Sequence, residues 1–296
     1  MDASGSSRPD AAPAGAVGNA AGAESVDSAP AASNTSARPG TLWIVSTPIG
    51  NPEDLSPRAA HILRSSALIV AEDARRSRPL LERCGATAPL ATLRSPPSPV
   101  GKGAGGLGSP VGKGAGGLGS PVGKGARGLG ALDALARTLR SGASAALICD
   151  SGTPGIADPG ASVVREALRA GAAVRSVPGP SAALAAVVLL GTPNGRFAFD
   201  GFPPRGRSDR PAFFRSLAGE TRTLVLYESP RYLRSTLKAL AGSLGPDRTA
   251  LLARNLTTNT ESVVRGSLSS LAAGLSAPPM RGQYTLVIAP PTPSAP

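Results

Sequence analysis

Glu72, Asp73, Ala74, Arg75 and Arg76 place two carboxylates beside two guanidiniums, directly after the apolar run 67–71. Such a group can hold a phosphodiester on its arginines while a carboxylate takes a proton from a hydroxyl. The same spacing reads equally as an acid pair in the first turn of a helix, complementing the helix dipole, with solvated arginines behind it. Tyr227 and Glu228 close a second apolar run, and Ser229 and Pro230 then open a helix. Three Gly- and Pro-rich segments carry the remaining candidates: STPIGN at 46–51, DSGTPGIADPG at 150–160 and PGPS at 178–181. Glycine lets a ligand approach the backbone and proline stiffens a loop, so Gly50, Gly152, Gly155, Gly160 and Gly179 are the expected points of closest approach. None of the three fits G-x-G-x-x-G or the Walker lysine pattern, which argues against a dinucleotide or a nucleoside triphosphate. A crevice of this kind suits a small cofactor with an adenosine end. Each loop taken alone also reads as an ordinary β-to-α turn.

The elements that must position these residues alternate short apolar strands with capped helices, the pattern of an α/β protein. Strands are expected at 42–46, 67–71, 145–149 and 172–177, and helices at 57–65, 75–84 and 132–140, with Asp158 and Pro159 capping the next helix. An apolar helix then runs to Leu190, followed by strands at 196–200, 223–227, 249–253, 262–265 and 284–288 and helices near 208–218, 230–242 and 267–274. The segments that carry chemistry follow strands, at the strand ends where open α/β sheets bind ligands; PGPS follows the strand ending at Val177 and enters the apolar helix. The expected organisation is an extension over 1–40, an α/β domain over 41–178, a second over 179–290, and a tail at 291–296.

Gly (37) and Pro (30) exceed what two packed cores use, and the excess has identifiable places. Residues 1–40 hold no aromatic, and read as a disordered extension without the apolar stretch of a secretory signal. SPVGKGAGGLG at 98–108 recurs at 109–119 and, with Arg127 for a glycine, at 120–130, and reads as a flexible insertion. The longest apolar run, 182–190, is far short of the ~20 residues of a membrane span, so a soluble cytoplasmic protein is expected. Two cysteines and one histidine, His61, leave little for a metal site; Cys84 and Cys149 read as buried thiols and no metal is expected. The net charge of +12 falls mostly outside the extension and the repeat, and 27 of the 31 basic residues are arginine. A guanidinium fork suits phosphate, so nucleic acid is the first partner to consider, although a GC-rich genome also favours arginine.

TPIGNPEDLSPRA (47–59), AEDARRSRPLLERCG (71–85), DSGTPGIADPG (150–160), VPGPSA (177–182) and LYESPRYL (226–233) occur in this order. In these motifs the chain resembles the tetrapyrrole (corrin/porphyrin) methylase superfamily, over about residues 41–290 apart from the repeat. The resemblance implies two α/β domains with S-adenosyl-L-methionine in the cleft between them, and a homodimer. It implies methylation of the ribose 2′-oxygen of a cytidine in the decoding region of 16S rRNA, on the 30S subunit. By motif, the cofactor would contact Thr47, Pro48, Ile49, Gly152, Thr153, Pro154, Ile156, Ala157, Ser181, Ala182 and Tyr227. Glu72 or Asp73 would accept the hydroxyl proton, with Glu228 as runner-up, and Asn51, Arg75 and Arg76 would contact RNA.

The substrate side departs from the family pattern. A His-containing stretch of the form SYHEHN gives way to Thr92, Leu93, Arg94, Ser95, Pro96 and Pro97; the family's ARELTK reads Ala253 to Thr258 with Asn255 for the acid; KGEF reads Arg281 to Tyr284 with Gln283 for the acid; and EDTR reads Glu72 to Arg75 with Ala74. Two other readings therefore stand beside the enzyme: a homologue that binds cofactor and rRNA without turnover, and a methylase of a small tetrapyrrole-like acceptor.

Overall fold

In a computed structural model, residues 38–93, 129–191, 195–206, 208–275 and 281–291 are described. Most of the expected extension and the repeat from 98 to 128 lie outside them. The runs β1 (Thr41–Val45), β2 (Leu68–Ala71), β3 (Leu90–Thr92), β4 (Ala145–Ile148) and β5 (Ala173–Val177) form one parallel sheet in the order β3-β2-β4-β1-β5. Every residue of β2 and β4 is buried, as strands covered on both faces require. Helices α1 (Pro57–Ser65) and α2 (Ala74–Cys84) follow β1 and β2, while α3 (Leu129–Arg140) and α4 (Ala161–Arg169) precede and follow β4. The strand order reverses direction after β3, so right-handed crossovers put these helix pairs on opposite faces. The packing agrees: Leu63 and Leu81 join Val45, Ile69 and Ile148, whereas Leu135, Leu139 and Val163 join Leu42, Val70 and Leu147.

Local signals set the helix ends. Ser56 Oγ accepts the Ala59 N–H ahead of Pro57, and Asp73 Oδ1 accepts the Arg75 N–H to open α2. Gly85, at φ +71°, ends α2 in the left-handed region. Three expectations need correction. α3 starts at Leu129, inside the last two residues of the third repeat. α4 starts at Ala161 with no side-chain cap; the Asp158 carboxylate turns back to accept the N–H groups of Gly155 and Gly160. β3 and a short 3-10 helix at Pro52–Asp54 are additional elements, too short for a periodic pattern to reveal.

The second sheet joins β6 (Phe197–Gly201), β7 (Thr223–Glu228), β8 (Thr249–Arg254), β9 (Ser262–Ser267) and β10 (Tyr284–Ile288) in the order β6-β7-β10-β8-β9. Only the β6–β7 pair is parallel. Helices α6 (Asp209–Ser216), α7 (Pro230–Leu244) and α8 (Leu268–Gly274) cover one face through Phe214, Leu233, Leu237 and Leu271. The other face takes α5 (Ala182–Leu190), whose Ala186, Val187 and Leu190 pack on Val225, Leu251 and Val287. α5 is apolar all round, and its Leu184 and Val188 remain exposed. Among the described residues no helix is long and apolar enough to cross a membrane, and no group of His, Cys, Asp or Glu could hold a metal ion.

Candidate active site

Three loops at the carboxyl ends of β1, β4 and β5 are stitched to one another by short-range polar contacts. Thr47 and Gly152 exchange backbone hydrogen bonds of 2.8 and 3.2 Å. Ser46 Oγ and Thr153 Oγ1 are 2.9 Å apart, and Thr153 Oγ1 also donates to the Pro180 carbonyl at 3.2 Å. Gly152 holds this bridge at φ +84°, with the space for a Cβ bounded by Ile49 at 3.4 Å. Loops joined in this way present a fixed backbone wall instead of three independent turns.

That wall borders a cavity of about 610 Å³, closed on the other side by residues of the second sheet. Of the residues the motifs nominate for a cofactor, Ile49, Gly152, Thr153, Ile156, Ala157, Ser181, Ala182 and Tyr227 line it. Thr47 and Pro48 do not; Thr47 is buried and its hydroxyl is spent on the Cys149 and Gly152 carbonyls. Pro154 is buried under the loop and lines nothing. Of the five glycines expected at closest approach, only Gly152 lines this cavity; Gly155 and Gly160 serve their loop's own turn, and Gly179 packs on Ser46, whose Cβ a Cβ there would meet at 2.9 Å. Gly50 instead packs on the second sheet's 256–258 loop, where a Cβ would meet the Leu256 carbonyl oxygen at 2.4 Å.

Tyr227 is fixed by edge contact with Phe199, at 4.9 Å between centroids. Burial raises its hydroxyl above the usual tyrosine range, against a hydrogen bond with the Ala183 backbone, so it stays protonated. Burial likewise pushes the Cys149 thiol up to about 12, with the charges of Asp158 and Glu72 adding to the effect. A thiol held neutral in this way is a poor nucleophile beside an alkylating group.

The carboxylates separate into distinct roles. Glu72 lines the cavity and its Oε2 accepts the Asp150 N–H at 3.3 Å. Asp73 does not line the cavity; it is the cap of α2 and lies 3.8 Å from Arg75 Nε. Glu228 lines the cavity but is committed elsewhere: Oε2 meets Arg210 Nη2 at 3.0 Å and the Thr236 hydroxyl, while Oε1 accepts the Ser229 N–H. Arg76 reaches Asp150 at 3.1 Å and lines the cavity, whereas Arg75 is exposed and does not. Asn51 also contacts no cavity. Its side chain caps the 3-10 helix and its N–H donates to Thr257 Oγ1 at 2.9 Å, joining the first sheet's loop to a Thr held at φ +67°.

Several lining residues were not singled out by sequence. Asp150 and Ser151 stand inside a motif that was noted for its glycines and prolines. Phe202 and Arg205, in the turn after β6, border the cavity, and Phe202 leans on Tyr227 at 5.5 Å. Arg210 anchors this turn by donating to the Pro204 carbonyl at 2.9 Å. A half-exposed aromatic followed by Pro-Pro-Arg was the available signal.

The model of the tetrapyrrole (corrin/porphyrin) methylases matches residues 41–272. A protein named ribosomal RNA small subunit methyltransferase I from Xylella fastidiosa (strain Temecula1) is 40% identical over 79% of this chain and 74% of its own length. One of the same name from Mycobacterium tuberculosis (strain H37Rv) is 37% identical over 86% of this chain and 80% of its own. The crystal structure of a uroporphyrin-III C-methyltransferase from Thermus thermophilus, complexed with S-adenosylhomocysteine, superposes with a TM-score of 0.54 at 19% identity, covering 84% of this chain and 97% of that one. The chain belongs to the tetrapyrrole (corrin/porphyrin) methylase family.

Proposed function

We propose that this protein uses S-adenosyl-L-methionine to methylate the ribose 2′-oxygen of a cytidine in 16S rRNA of the 30S subunit. The observation that carries the reading is the stitched cleft, which has Glu72 and Arg76 at its rim, in a chain 34–40% identical to enzymes named for small-subunit rRNA. Its donor set fits the cofactor: a rigid backbone wall at Gly152, apolar surfaces from Ile49, Ile156, Ala157, Ala182 and Tyr227, and hydroxyls from Thr153 and Ser181. Bound S-adenosylmethionine supplies an electrophilic sulfonium methyl. The chain's own residues orient the acceptor and take its proton, and of the carboxylates lining the cleft we assign that to Glu72. Asp150, paired with Arg76, keeps the guanidinium at the rim, where it meets a phosphate. We read 41–178 and 179–290 as the two domains that form the cleft.

The tetrapyrrole-acceptor reading is disfavoured by the relatives' names and by the net charge of +12. We also infer a cytoplasmic homodimer, joined through the outer side of α5, where Leu184 and Val188 are 54% and 75% exposed. Light scattering on Leu184→Glu/Val188→Glu would give a monomer, and an unchanged mass would remove that interface. For the activity, the protein is incubated with methyl-labelled cofactor and 30S subunits lacking the modification, and 2′-O-methylation is mapped by primer extension at limiting nucleotide. Label at one cytidine is the expected result. Cofactor binding without transfer would overturn the enzyme reading in favour of a non-catalytic binder.

A further inference from the structure

Beside the cleft lies a second cavity, of about 500 Å³, within the size range of pockets that bury small ligands. The two share the walls formed by Ile49, Arg76, Cys149, Asp150, Ser151 and Gln283, so a ligand in one abuts a ligand in the other. What the second cavity does not share combines a stiff apolar side, Pro48, Pro52, Pro79 and Leu80, with Thr47, Gly50, Ser77 and Arg83. Gln283 contributes an exposed amide, and its backbone is fixed on both sides by Asn255, through N–H to Oδ1 and C=O to N–H bonds of 3.0 Å each. Arg76 and Arg83 lie seven residues apart on one face of α2, two turns along the helix. Both side chains are largely exposed, at 64% and 60%; the Arg83 pair with Glu53 is of the solvent-screened kind that exchanges readily, whereas Arg76 is held by an Asp150 that is 13% exposed.

An apolar slot, an amide at its end and two guanidiniums along its edge match the parts of a nucleotide. A base face takes apolar surface, a base edge takes hydrogen bonds from an amide, and phosphates take arginine forks. Resting on the methyltransferase reading of the neighbouring cleft, we infer that this cavity receives the acceptor nucleotide, unstacked from a single-stranded stretch of RNA. The base enters the slot of Pro52, Pro79 and Leu80, the flanking phosphates meet Arg76 and Arg83, and the ribose comes to the shared wall beside Asp150. The assignment separates two sites that one continuous groove would otherwise merge: cofactor on the β4 and β5 side, RNA on the α2 side.

Leu80→Trp fills the slot and Arg83→Gln removes an exposed charge without touching the core. Each is tested as the full chain for affinity toward a fluorescent single-stranded RNA oligonucleotide, for KM toward unmodified 30S subunits, and for calorimetric affinity toward S-adenosylmethionine. The expected result is an RNA Kd and a 30S KM raised about tenfold or more by Leu80→Trp and several-fold by Arg83→Gln. Cofactor affinity stays within about twofold, which also reports that each variant is folded. If Leu80→Trp fails to fold, Arg83→Gln alone decides. The inference is overturned if RNA affinity is unchanged in the folded variants, or if cofactor affinity falls in step with it. Because RNA binding is read apart from turnover, a wild-type chain that transfers no methyl would remove the methyltransferase reading and leave this test standing.

Discussion

Replacing Arg210 by Met tests how the turn after β6 is held over the cleft. The Arg210 side chain is 14% exposed and pairs at 3.0 Å with Glu228, which is 4% exposed. Removing one partner of a buried ion pair leaves the other charge stranded and typically costs about 3–5 kcal/mol. Here the Thr236 hydroxyl and the Ser229 N–H still donate to Glu228, which places the loss near the low end, at about 3 kcal/mol. Arg210 also lies over the rings of Phe214 and Tyr232, at 5.2 and 5.1 Å, and each lost contact adds about 0.5 kcal/mol. At about 2–4 °C per kcal/mol for a chain of this size, Tm falls by roughly 10 °C. Differential scanning calorimetry measures this directly. The double variant Arg210→Met/Glu228→Gln removes the stranded charge and recovers at least half of the loss. A single variant melting within about 2 °C of wild type, or a double variant that merely sums the two singles, would refute the buried-pair reasoning. The lost bond to the Pro204 carbonyl has its own readout, a raised KM for substrate from a turn that no longer holds Phe202 and Arg205 in place.

Gly152→Ala forces an L side chain into φ +84° beside Ile49 and costs about 1–2 kcal/mol, read by calorimetry as a 5- to 30-fold loss of cofactor affinity; unchanged affinity would show that the wall can yield. Asp158→Ala removes an acceptor shared by the Gly155 and Gly160 N–H groups, so KM for the cofactor rises several-fold while Tm falls by only a few degrees, and an unaltered KM would separate that turn from the cleft. With Cys149 raised to about 12 from an unfolded value near 9.0, its contribution is complete below pH 9 and is lost as pH climbs toward 12, at about 1.4 kcal/mol per pH unit. Denaturant melts of wild type against Cys149→Ala across that window check the slope, and parallel curves would count against it. A native thiol assay at pH 8 should modify the half-buried Cys84 and spare Cys149.

The fold was legible because its strands are short apolar runs and its helices carry caps. Ser56-Pro57, Gly85 and Ser229-Pro230 mark helix ends that the structure keeps. The candidate site was legible only where a motif coincides with a strand end. Ile156, Ser181 and Tyr227 line the cleft for that reason, while Asn51, Asp73 and Glu228 illustrate the limit. Each has the residue type for chemistry; Asn51 and Asp73 stand beside residues that line a cavity, and Glu228 lines the cleft itself. Each is instead consumed by a partner remote in sequence or by its own helix: Thr257 for Asn51, the α2 N-terminus for Asp73, and Arg210 for Glu228. One-dimensional spacing gives proximity to a site but not the hydrogen-bond partner that decides whether a side chain is free to act. Phe202 and Arg205 line the cleft through a turn held by a side-chain bond from Arg210 to the Pro204 carbonyl, a contact that no periodic pattern marks.

Asn255 and Gln283, the two amides that the motif reading sets where the family pattern has acids, prove to be one feature. They lie 28 residues apart in sequence, yet Asn255 Oδ1 accepts the Gln283 N–H and the Gln283 carbonyl accepts the Asn255 N–H. Gln283 lines both cavities and shares the smaller one with Arg76 and Arg83. Two neutral amides at this spot leave the positive field of the arginines less opposed than two acids would, where RNA phosphates would enter. Gln283→Glu puts one charge back with almost no change in shape. Exposed charge effects of about 0.5–1 kcal/mol at low salt correspond to an RNA Kd about two- to fivefold weaker, an effect that fades as salt shortens the screening length. Fluorescence titration of single-stranded RNA against salt measures both quantities. A loss that persists undiminished at high salt, or that appears in cofactor affinity instead, would show that Gln283 acts through its hydrogen bonds and not through the charge it lacks.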